Sequence, residues 1–117
     1  MKTTPFGLAA VIAASQGLAA DPRIREVPYD ATSVVAIETK RGSVTHIELP
    51  AHEAIRFIAS GQGADCRQPD MTWCIDGAAG QRNIFLKPRA HATANTLSIV
   101  TDRRSYSFAL TVLPESA

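Results

Sequence analysis

The chain has 117 residues, with 12 Lys and Arg against 11 Asp and Glu, two cysteines and a single tryptophan. So even a balance gives no general field to draw in DNA or an anionic membrane, and any such role would need a local patch. Two cysteines without a nearby histidine are too few ligands for a structural zinc site.

The chain opens "MKTTPFGLAAVIAASQGLAADPR", with Lys2, an uncharged apolar run over residues 6–14 and small residues up to Ala20. A short basic start, a brief apolar run and a small-residue cut site predict a secretory signal peptide over residues 1–20, cut after Ala19 or Ala20. The alternative is a buried amino-terminal helix. The apolar run has about nine residues, whereas a membrane-spanning helix needs roughly twenty. No cysteine follows either cut, so a lipid-modified terminus is not expected. The mature product is expected to be a periplasmic protein without an anchor of its own. Residues 21–117 are then enough for one small domain with one core. Losing Lys2 brings the basic side chains level with the acidic ones.

"DPRIREVPYDATS" follows, and its prolines, Pro22 and Pro28, predict an extended arm or an edge strand. From Ser33 on the apolar pattern has period two. "VVAIET" reads as a strand, Lys40-Arg41-Gly42 as a turn, and "SVTHIELP" as a strand with Ile47 and Leu49 on one face and His46 and Glu48 on the other. "EAIRFIAS" reads as a third strand, with Ile55 and Phe57 alternating against Arg56. After a glycine-rich loop over residues 61–70 come "MTWCID", "NIFLKP", "TLSIVT" and "SYSFALTVL". Each run is short and bounded by Gly, Pro, Asn or Asp. About seven to eight such strands, with no sustained helical period, predict an all-β fold, a small antiparallel β-sandwich or barrel. Trp73, inside a predicted strand, is expected to anchor the core, the alternative being an exposed binding aromatic.

Cys66 and Cys74 both lie in the exported part. In an oxidising compartment such a pair is expected to form a disulfide, worth about 2 to 3 kcal/mol in the chain-entropy view. Two free buried thiols are the alternative.

An enzyme of this size should show a nucleophile with its base, paired acids or a metal cluster. His46, His52 and His91 fall in a strand, a turn and a loop without metal-motif spacing. "GQGADC" lacks the lysine and the helix of a phosphate loop, and the carboxylates are scattered singly. The chain therefore reads as no enzyme, with no cofactor and no metal. Lys87 and Arg89 flank Pro88, while Arg103 and Arg104 occupy the turn in "TDRRSYSFAL". Such pairs read as solvated tips that blunt strand edges. Tyr106 and Phe108 alternate in one direction, as a core-facing row does. On this reading, replacing both turn arginines by alanine changes stability by no more than about 0.5 kcal/mol.

Taken in order, "DPRIREVPYD" behind a signal peptide, "THIELPAHEAI" and "NIFLKPRAHATANTLSIVTDRRSYSFAL" resemble the amino-terminal domain of the TrbG/CagX family. This family is the ninth VirB-type component of type IV secretion and conjugation machines. The resemblance spans essentially the whole mature chain, and its most specific part runs from "FLKP" through "NTL" to "TDRRSYSF". It implies a periplasmic β-sandwich that assembles in many copies into the ring-shaped outer-membrane core complex. Its partners there would be a VirB-ten-like scaffold and a small VirB-seven-like lipoprotein, and it would not contact nucleic acid directly. Residues 21–29 would be the family's leading segment and residues 101–108 its hairpin, neither of them catalytic. Candidate partner contacts are Asp21, Pro22, Arg23, Ile24 and Tyr29 in the arm, with Lys87, Arg103 and Arg104 on the loops and the turn. The sequence departs from the family pattern in two ways. Family members normally continue into a linker and a second β domain, whereas this chain stops at "LPESA". The loop "GQGADCRQPDMTWC" is enlarged and carries two cysteines not associated with the family. The rival expectations are a freestanding periplasmic ligand-binding β-sandwich, using Trp73 and the cysteine loop as its pocket, and a truncated remnant that finds no partner.

Overall fold

Seven strands form in the computed structural model, which describes residues 21–116. They are β1 (Val35–Thr39), β2 (Thr45–Glu48), β3 (Ile55–Ser60), β4 (Trp73–Asp76), β5 (Asn83–Pro88), β6 (Asn95–Thr101) and β7 (Ser105–Val112). The expected signal peptide, residues 1–20, lies outside the described residues. One sheet has the order β1-β7-β6-β3 and the other β2-β5-β4, and no helix occurs among the described residues. The all-β sandwich read from the periodicity is the fold observed. Its pairings are antiparallel except one, because β1 runs parallel to β7. Parallel neighbours cannot be joined by a tight turn. Here the chain between them builds the entire second sheet before it returns.

Alternation is cleanest on β6, where Asn95, Leu97, Ile99 and Thr101 are buried and the residues between them are exposed. This strand lies between β7 and β3, so its outer residues see solvent and its inner ones see the opposite sheet. Ile37, Ile55, Leu97, Ile99, Phe108 and Leu110 from the larger sheet meet Trp73, Ile84 and Leu86 from the smaller one. Burying each large apolar side chain contributes about 1.5–3 kcal/mol before the ordering cost is subtracted. Trp73 has no exposed surface, and its indole N–H donates to the Thr93 carbonyl at 2.9 Å. It is the core anchor expected, and being fully covered it cannot line a ligand surface. The expectation of a ligand pocket lined by Trp73 is corrected accordingly.

The turn between β1 and β2 carries the chain from one sheet to the other. Ser43 N–H donates to the Lys40 carbonyl at 3.1 Å, with Gly42 at φ 81°. That left-handed backbone suits the third position of a turn and favours glycine.

One strand departs from the expected pattern. Ile55 and Phe57 were expected on the same face of β3, yet Ile55 is buried and Phe57 is 71% exposed. Ile55 pairs with Thr101 and Phe57 with the adjacent residue Val100, which leaves Arg56 as an extra residue between them. An inserted residue reverses the facing of everything beyond it. Ile58, not Phe57, consequently packs on the core.

Candidate functional site

The β6–β7 turn is not a free tip. Glu53, only 5% exposed, sits just before β3 and turns its carboxylate toward it. The hydroxyl of Thr101 donates to Glu53 Oε1 at 2.8 Å, and the Tyr106 hydroxyl lies 2.9 and 2.8 Å from its two oxygens. Arg104 Nε completes the set, 3.1 Å from Oε2. A buried carboxylate persists only when paired and hydrogen-bonded, and here three side chains from one hairpin supply the partners. Burial first, then the hydrogen bond to Glu53 and its negative charge, push the Tyr106 phenol well above the usual tyrosine range. Reading Arg104 as a solvated tip is thus overturned, because its guanidinium neutralises an acid that cannot reach water.

Arg103 takes a different course, donating from Nε to the carbonyl of His52 at 3.0 Å. His52 has φ 70° in the turn that presents Glu53. The Ala54 N–H donates to the Asp102 carboxylate at 3.0 Å, which holds that acid below its ordinary range. The hairpin is therefore clasped to the turn before β3 through five of its residues, Thr101, Asp102, Arg103, Arg104 and Tyr106.

The arm, residues 21–29, forms no strand and is mostly exposed. It is fastened at Tyr29, whose hydroxyl donates to the Ser105 carbonyl at 3.0 Å. The Tyr29 ring stands edge-on to Tyr106 at 5.2 Å and receives the Arg104 guanidinium at 4.5 Å from its centroid. Arg104 thus joins buried Glu53 to the arm, as a cation flat on an aromatic face can. Four residues before Tyr29, Arg25 donates to the Ala36 carbonyl at 2.7 Å. The Thr39 carbonyl accepts from Leu113 N–H on the β7 side. By alternation Ala36 and Glu38 turn their backbone groups to the open edge of β1. The far end of the arm is a local unit. Arg23 donates from its backbone and guanidinium to Asp21, whose carboxyl is pulled down to about 2, and Ile24 N–H closes a turn on the Asp21 carbonyl.

On the other side of the molecule Cys66 and Cys74 are joined in a disulfide, with their Cα atoms 4.5 Å apart. It ties the loop after β3 to β4. Arg89 steadies the same loop, donating to the carbonyls of Cys66, Gln68 and Met71 at 2.7 to 3.2 Å. Arg89 is therefore no solvated tip either. Lys87, opposite Cys74 on β5, is exposed and lies in the other sheet from the β6–β7 hairpin.

Of the candidate contacts, the structure brings Tyr29 and Arg104 together and leaves Asp21, Pro22, Arg23, Ile24 and Lys87 elsewhere. Glu53, Thr101 and Tyr106 complete the cluster and were missed. A lone carboxylate opening an apolar run, as in "EAIRF", was the available signal. Among the described residues no group of three His, Cys, Asp or Glu side chains is placed to hold a metal ion. Two shallow depressions, of about 220 and 330 Å³, lie beside Asp76, Asn83 and Phe85 and beside Gln62, Asn95 and Thr111. Neither touches the clasp.

A family of conjugal transfer proteins, CagX, matches residues 22–117. The chain belongs to the CagX family. Membership assigns it to type IV secretion or conjugation, and the family is a structural component of that machinery and no known class of enzyme. No functionally curated protein matches the chain. Among solved structures it is similar to the ZIG-8 IG1 homodimer, at 17% identity over 86% of this chain and 97% of that one, with a TM-score of 0.36. So loose a likeness says nothing about what a CagX protein does.

Proposed function

We propose that this CagX chain is a periplasmic structural subunit of the outer-membrane core complex of a type IV secretion or conjugative transfer apparatus. On this reading residues 1–20 export it, residues 21–117 act as a single β-sandwich domain, and it works by protein–protein packing in a ring of copies beside a VirB-ten-like scaffold. The observation that carries the reading is the CagX match, which runs from the arm through β7 and so concerns the folded part as a whole. The disulfide suits an oxidising compartment. The open β1 edge and the arm, anchored mainly through Tyr29, suit joining to a neighbour by strand addition. The near-neutral charge gives the domain no means to grip passing DNA.

The test is crosslinking in the native cell envelope, followed by purification through a tag at Ala117 and identification of what is retained. Recovery of a VirB-ten-like scaffold in a large assembly is the expected result. Recovery of a lone monomer would remove the assembly role and leave the remnant or a small-ligand binder.

A further inference from the structure

Phe57 is the most exposed aromatic ring in a strand, and the inserted Arg56 is what turns it outward. Its cross-strand partner is Val100, also exposed, and Val100 is opposite Ser105. Bulges re-aim side chains and are built features of a sheet. A large apolar ring facing water beside a second exposed apolar residue makes a small surface patch of the kind that can mark a contact. The patch lies on β3, one edge of the four-stranded sheet; Arg56 adjoins it in the bulge, and both Arg56 and Arg103, in the turn after β6, act on the Asp102 carboxylate. The opposite edge is β1 with its arm, where Ile24 is 74% and Val27 48% exposed, and Val34 is also bare. That side carries Glu26, Asp30 and Glu38 with Arg25, while Asp21 and Arg23 neutralise each other. One edge of the sheet is thus apolar with a basic rim, and the other is apolar with an acidic one.

We infer that the Phe57–Val100 patch receives the arm and β1 edge of a second copy of this chain, head to tail, with Ile24 and Val27 over the ring and Arg56 and Arg103 against Glu26 and Glu38. Because giver and receiver are different surfaces, every copy that binds leaves one of each free, so the contact propagates into a ring or an open row. The inference rests on the assembly reading above and names the surfaces that reading requires.

Cysteine pairing decides it. The full chain carrying both Val27→Cys and Phe57→Cys, oxidised in the cell envelope and again after purification, should give a ladder of disulfide-linked species beyond the dimer that collapses under reductant. The single variants should stay monomeric on the same gel. Dimers from Phe57→Cys alone would mean that the patch meets its own copy, and no ladder in either setting from folded protein would mean that no copy's arm reaches it. Either result overturns the inference. Phe57→Asp should weaken self-association at least tenfold with an unchanged circular dichroism spectrum, and Arg56→Glu with Arg103→Glu should weaken it until Glu26→Arg and Glu38→Arg are added. Scaffold recovery without the ladder defeats this inference alone, and a ladder without the scaffold defeats only the reading above.

Discussion

Two adjacent arginines, identical in sequence logic, do unequal work. Arg103 reaches one exposed backbone carbonyl, so Arg103→Ala should change stability by no more than about 0.5 kcal/mol. Arg104→Ala strands a buried carboxylate. Its guanidinium is about one-third exposed, which discounts the pair, and the expected loss is about 1–3 kcal/mol in urea unfolding. Equal effects for the two would show that Thr101 and Tyr106 satisfy Glu53 unaided. Tyr106 supplies a pH test with a definite sign. Its phenol keeps its proton more tightly when folded than when unfolded, so its contribution is complete below the unfolded value of about 10 and is lost as pH rises beyond it. Stability should therefore fall above about pH 10, and Tyr106→Phe should flatten that fall in melts taken from pH 8 to 11.

At the scale of the element, the strands were legible because their apolar residues recur at every second place. β5 was read from Asn83 to Pro88 as it stands, and the turn at Gly42 announced itself by glycine. The facing of β3 beyond Ile55 was not legible. An inserted residue has no signature in composition, and "IRFI" alternates equally well with either of its apolar residues inward. The clasp was hidden for a related reason, since Glu53 and Tyr106 lie 53 positions apart and only the packing of a turn against a hairpin brings them together. The cysteine pair was legible from its number and from the oxidising compartment that the expected signal peptide implies. Opening it with Cys66→Ser and Cys74→Ser should cost about 2 to 3 kcal/mol. At this size that is a fall of about 10–20 °C in the melting temperature. The sheets should persist below the new midpoint, because Trp73 and its neighbours stay packed whether or not the loop is closed. Thermal melts of the variant and of the reduced wild type should agree.

For the molecule as a whole, the parallel pairing of β1 with β7 brings the first strand beside the last. The clasp and the arm add to this, since Tyr29 is fastened to Ser105 across 76 positions. A chain with such distant partners pays loop-closure entropy before the contacts reward it, so refolding is expected on the millisecond-to-second scale, far slower than for a helical bundle of equal length. Stopped-flow refolding followed by Trp73 fluorescence measures it. The order of synthesis then acquires a meaning. When β1 emerges from the ribosome its only sheet partner has not yet been made, and it stays without that neighbour until nearly the whole chain exists. A protein wired in this way is slow to close on itself while it is being made, which under the proposed export would leave it threadable through a channel until β7 has joined β1.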